Sequence, residues 1–296
     1  MVKRSFRFGT VGSPASTPKK PGGSEGAILR LKELGLDGLE LGWVRSVRVS
    51  PETCIVIKTV AQEQDVSLSV HAPYYINLNA DEQEWPKSRQ RLMDAAHYGN
   101  LAGASDIVFH PGSYFDRPPQ EVLPLAIRRL EACVAELRLA GNPVTLRPET
   151  MGKSAMLGSL DDTLEMSRAI SGVEPCLDFA HLHARAGDGS VNSYVEWMRL
   201  LESYAAALGE DPLHRLHIHM SGIEYTAKGE REHLPLEKSD LDVDAILQAL
   251  KGMGCKGRIL CESPILEDDA LLLRARWLKL SGTSCGTSSR ETACCW

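Results

Sequence analysis

Histidines and carboxylates close the apolar stretches of this chain. In order these read Ser-Val-His71, Val-Phe-His110, Arg-Pro-Glu149, Leu-Asp178 with His181 three residues on, Ile-His219 and Leu-Cys-Glu262, with His233 in a loop after His219. Imidazole and carboxylate are the donors of Zn²⁺, Mn²⁺ and Fe²⁺ sites. Zinc takes four donors, so His71, His110, Glu149, Asp178, His181, His219, His233 and Glu262 exceed what one ion needs. They point to two or three ions sharing a carboxylate. Buried together, those carboxylates also call for cations, because like charges out of water repel strongly. Such centres suit phosphoester hydrolysis: one cation polarises the phosphate, one lowers the pKa of the attacking water and one stabilises the leaving oxygen. His97, in a helix, reads as structural; His183, in the same loop as His181, and His214, at the start of the seventh strand, are weaker candidates, and His217 shares a face with His219 one layer deeper.

Residues this far apart meet only if the fold gathers strand ends. The hydrophobic pattern predicts strands over 6–9, 38–41, 66–71, 106–110, 143–149, 173–178, 213–219 and 257–262. Between them it predicts helices, opened by Ser24, by Ser50-Pro51, by Pro118-Pro119 and by Asn192, and a polar loop ahead of a helix near 242–252. Eight strand–helix units over residues 1–280 imply an α/β chain folded as one (β/α)₈ TIM barrel. Chemistry in such barrels sits at the C-terminal ends of the strands, where the candidate donors fall.

The bulk numbers agree with an ordinary folded enzyme. The chain has 296 residues, 43% hydrophobic and 24% charged. No apolar run reaches membrane-spanning length and no signal peptide is evident, so a cytoplasmic location and no membrane partner are expected. The net charge of -6 argues against a general nucleic-acid binder, although bound metal or a local basic face reverses the sign where it matters. None of the 8 cysteines forms a C-x-x-C pair; Cys54, Cys133, Cys176, Cys255 and Cys261 have apolar neighbours and read as reduced, buried thiols. Residues 281–296 are rich in Ser, Thr and Gly and read as a disordered tail.

At motif level, residues 6–279 resemble the endonuclease IV family of apurinic/apyrimidinic (AP) endonucleases, within the xylose isomerase-like barrels. The resemblance is carried by His71-Ala72-Pro73-Tyr74-Tyr75-Ile76-Asn77-Leu78, Phe109-His110-Pro111-Gly112-Ser113, Pro148-Glu149-Thr150-Met151-Gly152, the C-x-D-x-x-H run Cys176 to His181, His219-Met220-Ser221 and Cys261-Glu262. It implies a zinc centre. His71, His110 and a bridging Glu149 hold the first ion, Glu149, Asp178, His219 and Glu262 the second, and His181 and His233 the third with one more carboxylate. The family has D-x-H before that last histidine, whereas this chain has Arg231 two residues before His233. Glu230 is the expected replacement, with Glu232 and Glu224 as alternatives.

The resemblance further implies a monomer that hydrolyses the phosphodiester 5′ to abasic sites in double-stranded DNA, in base excision repair. Glu149 and Glu262 would be its catalytic carboxylates. Tyr74 aligns with a DNA-inserting aromatic, Tyr75 stands where an aliphatic residue is more usual, and Arg45 and Arg48 are candidate DNA contacts. Two other functions compete. Sugar isomerases and epimerases of the same barrel hold one divalent metal with two Glu, one Asp and one His. A non-catalytic damaged-DNA-binding relative is suggested by Arg231 alone.

Overall fold

The computed structural model describes residues 5–282. Its strands and helices alternate: β1 (Phe6–Val11), α1 (Gly23–Glu33), β2 (Gly38–Gly42), α2 (Pro51–Gln64), β3 (Ser67–His71), α3 (Trp85–Leu101), β4 (Asp106–Phe109), α4 (Pro119–Leu139), β5 (Thr145–Pro148), α5 (Leu160–Ala169) and β6 (Cys176–Asp178). They continue with α6 (Phe179–Arg185), α7 (Tyr194–Leu208), β7 (Leu216–Met220), β8 (Gly222–Thr226), β9 (Gly229–Leu234), α8 (Val243–Gly252), β10 (Gly257–Cys261) and α9 (Glu267–Leu280). Eight strands form one parallel sheet in the order β5-β4-β3-β2-β1-β10-β7-β6. Its two edges meet through bridges from Leu146 to Val173 and from Glu149 to Cys176, which nearly closes the (β/α)₈ barrel.

Apolar side chains between strands and helices, such as Ile28, Leu92, Ile107, Leu130 and Trp197, form the core. The barrel interior is polar instead. Alternate residues of a strand share a face, so Ser69 lies beneath His71, Arg147 beneath Glu149, Cys176 beneath Asp178 and His217 beneath His219. The floor is an ion network: Arg147 Nε lies 2.7 Å from Asp106 Oδ1, Arg147 Nη1 3.1 Å from Glu174 Oε2 and Arg258 Nη2 2.9 Å from Asp106 Oδ2. Burial alone would raise the Asp106 pKa, but the Arg147 and Arg258 guanidinium groups hold it well below the usual range.

The expected elements are present with local corrections. Of the strand predicted over 213–219, the first residues wind into a 3-10 turn, Asp211–Arg215. The sixth strand shortens to Cys176–Asp178, because Val173 makes only an isolated bridge. Ser24 lies inside α1, whose N-cap is Gly22. Ser193, not Asn192, caps α7: it accepts from Glu196 N–H in a capping box. Asn192 instead ties that turn to the loop before α8, donating to Asp240 O at 2.8 Å and accepting from Asp242 N–H at 2.7 Å. The predicted polar loop holds the antiparallel hairpin β8–β9, and α6 was not foreseen. Apart from residues 281 and 282, the predicted tail lies outside the described residues. Among the described residues no helix is long and apolar enough to cross a membrane.

Candidate metal centre

Glu149, at the end of β5 and fully buried, is the hub. Its Oε2 lies 3.3 Å from Nε2 of both His71 and His110. Its Oε1 lies 3.3 Å from His181 Nδ1 and 3.4 Å from His219 Nδ1. The two oxygens therefore address two sets of histidines on opposite sides of the barrel mouth. His71 is pinned by its neighbour, since its Nδ1–H donates to Ala72 O at 2.9 Å and leaves Nε2 facing Glu149.

The C-x-D-x-x-H spacing has a local cause. Asp178 ends β6 and is also the N-cap of α6, its Oδ1 accepting from His181 N–H at 2.7 Å. The three-residue interval is the cap geometry, and it sets His181 on the first helical turn. His181 Nδ1–H then donates to Thr150 O at 2.9 Å, and His233 Nδ1–H points at Glu262 O at 3.4 Å. Their Nε2 atoms face one another at 3.1 Å. In neutral rings with those tautomers both nitrogens present lone pairs, so a shared proton or a metal ion has to lie between them.

The donors fall into overlapping groups whose ligand atoms lie within 4.8 Å of one another: His71, His110 and Glu149; Glu149, Asp178, His219 and Glu262; Asp178, His181 and His233. All eight strand-end and loop residues singled out in the sequence are thus brought together. Glu40, His71 and Glu262 form a further group, as do Cys176, His217 and His219. The spacing suits metal. Two donors about 2.1 Å from one tetrahedral ion stand about 3.4 Å apart, whereas a direct N⁺–H···O⁻ bond is about 2.7–2.9 Å. The contacts of Glu149 with His71, His110 and His219, and His219 Nδ1 to Glu262 Oε1 at 3.2 Å, fall nearer the first value. Glu149 Oε1, Asp178 Oδ2 and His219 Nδ1 are buried without any hydrogen bond, as donors aimed at a cation would be.

Electrostatics point the same way. Burial alone would lower the His71 pKa, yet Glu149 raises it to about 9. His181 and His219 also rise well above the imidazole range against their burial, through Asp178 and Glu149 for the first and through Cys176, Glu262 and Glu40 for the second. Burial works against the Glu149 charge, but His110, His181 and His219 hold its pKa well below the usual carboxylate range. The pocket's negative charge must be balanced by cations, and protons and metal ions compete for the role.

Glu230 reaches this pocket because of a β-bulge. In the β8–β9 hairpin Glu224 pairs with Glu232 and Tyr225 with Glu230, leaving Arg231 as the extra residue. Simple alternation would put residue 231 on the face of His233; the bulge gives that face to Glu230. Glu230 Oε2 lies 3.6 Å from His181 Nε2. Arg231 points to solvent and pairs with Glu224 at 2.8 Å, and Glu232 is exposed, which leaves Glu230 as the one of the three hairpin carboxylates that faces His181, alongside Asp178. Gly152 provides the room: a Cβ there would stand 2.6 Å from Glu230 Cβ.

The rim residues sit less close. Tyr74 lies nearly parallel to the His110 ring, centroids 5.1 Å apart, and edge-on to His71 at 5.3 Å, yet 51% of it is exposed. Burial, Glu262 and Glu149 raise its pKa to about 12, so its hydroxyl stays protonated. Tyr75 is 64% exposed, has Arg91 5.8 Å over its ring and lines a cleft of about 920 Å³ with Tyr74 and Phe115. Arg45 and Arg48 are exposed and make no ion pair among the described residues. Their loop is tied to the Tyr74 loop where Tyr74 N–H donates to Val44 O at 2.9 Å.

Sequence reasoning missed Glu40. It is fully buried on β2, with Ser69 Oγ at 2.6 Å and His217 Nε2 at 2.8 Å from its Oε2. The available signal was an acid flanked by leucines in a strand that should be buried on both sides. His217 does lie behind His219 as expected, and burial lowers its pKa to about 4 despite Glu40.

Residues 28–280 match the model of the xylose isomerase-like TIM-barrel family. An uncharacterized protein of Methanocaldococcus jannaschii is 37% identical over 267 residues, covering 90% of this chain and 94% of its own. Endonuclease 4 of Thermus thermophilus is 29% identical over 176 residues, 56% of this chain and 61% of that protein. The crystal structure of a D-tagatose 3-epimerase-like protein superposes with a TM-score of 0.69 at 18% identity, covering 94% of this chain and 98% of that one, and so shares the fold.

Proposed function

The chain belongs to the xylose isomerase-like TIM-barrel family, and from that premise we propose that it is a zinc-dependent AP endonuclease that cleaves the phosphodiester 5′ to abasic sites in duplex DNA. The observation that carries this reading is the number and grouping of donors. One-metal chemistry needs the four residues Glu149, Asp178, His219 and Glu262; it has no use for a histidine pair on each side of them. Three ions, with Glu149 as the bridge and Glu230 completing the third set beside His181 and His233, use all eight of the strand-end and loop donors. Mn²⁺ or Fe²⁺ suits the same imidazole and carboxylate donors.

Bound in these groups, the ions would polarise the phosphoryl oxygens and lower the pKa of an attacking water. The protein's own residues do the rest. Glu149 and Glu262 hold the charge balance at the reacting phosphate. The Tyr74 hydroxyl, protonated at neutral pH, is a donor for a phosphate oxygen, and its ring, backed by His110, is a stacking wall beside the gap left by the missing base. Unpaired Arg45 and Arg48 supply phosphate contacts on the adjoining loop. Tyr75 extends the aromatic rim. An abasic nucleotide costs least to turn out of the stack, because no base pair is lost. The protein acts in base excision repair in the cytoplasm, as a monomer.

The test is incision of a duplex carrying one tetrahydrofuran abasic analogue, with metal content measured on the same sample. Incision on the 5′ side with two or three ions per chain is expected. A folded, metal-loaded protein that leaves the duplex intact would refute the reading. The four-residue set by itself matches the donors of a one-metal sugar isomerase or epimerase, so ketoses are the comparison substrates; turnover of a ketose by protein holding one ion would favour that function.

A further inference from the structure

Glu40 lies beneath the metal centre, on a strand whose other ends carry none of the proposed ligands. We propose that it is the positioning residue that fixes the orientation and tautomer of His219, so that Nδ1 and not Nε2 is offered to the metal. This rests on the metal-centre reading above. A fully buried carboxylate is expensive unless it is matched. What surrounds Glu40 is a set of matches. Its Oε2 takes the Ser69 hydroxyl at 2.6 Å and His217 Nε2–H at 2.8 Å. Its Oε1 stands 3.0 Å from His219 Nε2.

Neither Glu40 Oε1 nor His219 Nε2 makes another hydrogen bond among the described residues, so at 3.0 Å each is the other's available partner. The opposite nitrogen, Nδ1, then faces Glu149 Oε1 at 3.4 Å and Glu262 Oε1 at 3.2 Å. Nε2 cannot serve as ligand while it donates to Glu40. The carboxylate therefore selects one of two ring orientations and makes the imidazole more basic. Ser69 and His217 keep Glu40 itself from turning. A glutamine at this position offers one oxygen and one N–H₂ to two imidazole Nε2–H groups, so one histidine has to change tautomer or rotate.

The experiment compares zinc affinity of wild type and Glu40→Gln by chelator competition, with visible spectra of both Co²⁺-loaded proteins. Glu40→Gln is expected to weaken zinc binding by roughly 10- to 100-fold and to alter the Co²⁺ ligand-field bands while the thermal midpoint of the metal-free protein moves little. Equal affinity and identical spectra in the two proteins overturn the role of Glu40 and leave the metal centre standing. Wild-type protein that binds no zinc overturns the metal centre and this inference together. Should Glu40→Gln not fold, ¹⁵N-histidine NMR of zinc-loaded wild type decides: His219 protonated at Nε2 and ligated through Nδ1 supports the inference, and the reverse tautomer overturns it.

Discussion

Replacing Gly152 by alanine isolates the third set of donors with one methyl group. Gly152 is not among the residues at positive φ, so alanine is compatible with its backbone and the effect is steric. The new Cβ would meet Glu230 Cβ at 2.6 Å, Glu230 Oε2 at 2.9 Å and His181 Cδ2 at 3.1 Å. Non-bonded carbons rest about 3.5–4.0 Å apart, so roughly 1 Å of separation has to be found. It is not found by sliding β9, because Glu230 N–H donates to Gly152 O at 2.9 Å and holds the two backbones together. Nor can residue 229 give way: a Cβ at Gly229, itself at positive φ, would stand 2.2 Å from Gly152 O, so the chain is already in close approach there. Overpacking of this kind costs about 1–3 kcal/mol. Turning the Glu230 carboxylate away from His181 relieves only the Oε2 contact, and the Cβ contact is taken up by strain that displaces Glu230 as a whole; either movement raises the dissociation constant of the third ion by about tenfold for each 1.4 kcal/mol. Metal content by mass spectrometry after dialysis should fall from three ions to two, with the tighter pair unchanged. Glu230→Gln should do the same without the clash. Three ions held with wild-type affinity in both variants would refute the placement of Glu230 and the bulge argument behind it.

Glu149→Ala removes the carboxylate whose two oxygens face the two histidine sets, so it should release metal and lower incision of abasic duplex by at least about 100-fold; normal metal occupancy with full activity would rule out the bridge. The pH dependence of metal binding follows from His71, which burial would lower but Glu149 lifts to about 9 in the metal-free protein. Zinc has to displace that proton, so affinity should rise with pH between about 6.5 and 9. The same shift acts on folding. A pKa raised above its unfolded value adds stability below about 6.5 that is lost as pH climbs through 9, so the metal-free protein should melt at lower temperature at pH 9.5 than at pH 6.5. A zinc affinity that does not change between pH 6.5 and 9 would contradict this account of His71.

Most of the architecture was legible because its causes are local. Alternation of apolar stretches with helical periods predicts eight strand–helix units, and a parallel barrel puts every strand end at one mouth. The positions of His71, His110, Glu149, Asp178, His219 and Glu262 at strand ends therefore needed no coordinates. The interval between Asp178 and His181 is likewise a local matter of helix capping. The α7 cap was misplaced by one residue because Asn192 and Ser193 are both good caps, and the choice was made by a loop 48 residues away that takes Asn192 as its own partner.

The barrel and the candidate donors at its mouth can be read from the chain alone: periods of two and 3.6 residues are written along it and each strand ends where its apolar run ends. Which of several like residues faces the site depends instead on strands paired in three dimensions. Glu224, Glu230 and Glu232 are indistinguishable as letters, and a bulge at Arg231, set by pairing across a hairpin, turns Glu230 inward. Glu40 reads as one more strand residue until the barrel brings His217, 177 positions on, to within 2.8 Å of it. The face of a bulged strand and the partner of a buried charge depend on register and closure, and those are properties of strands paired in space.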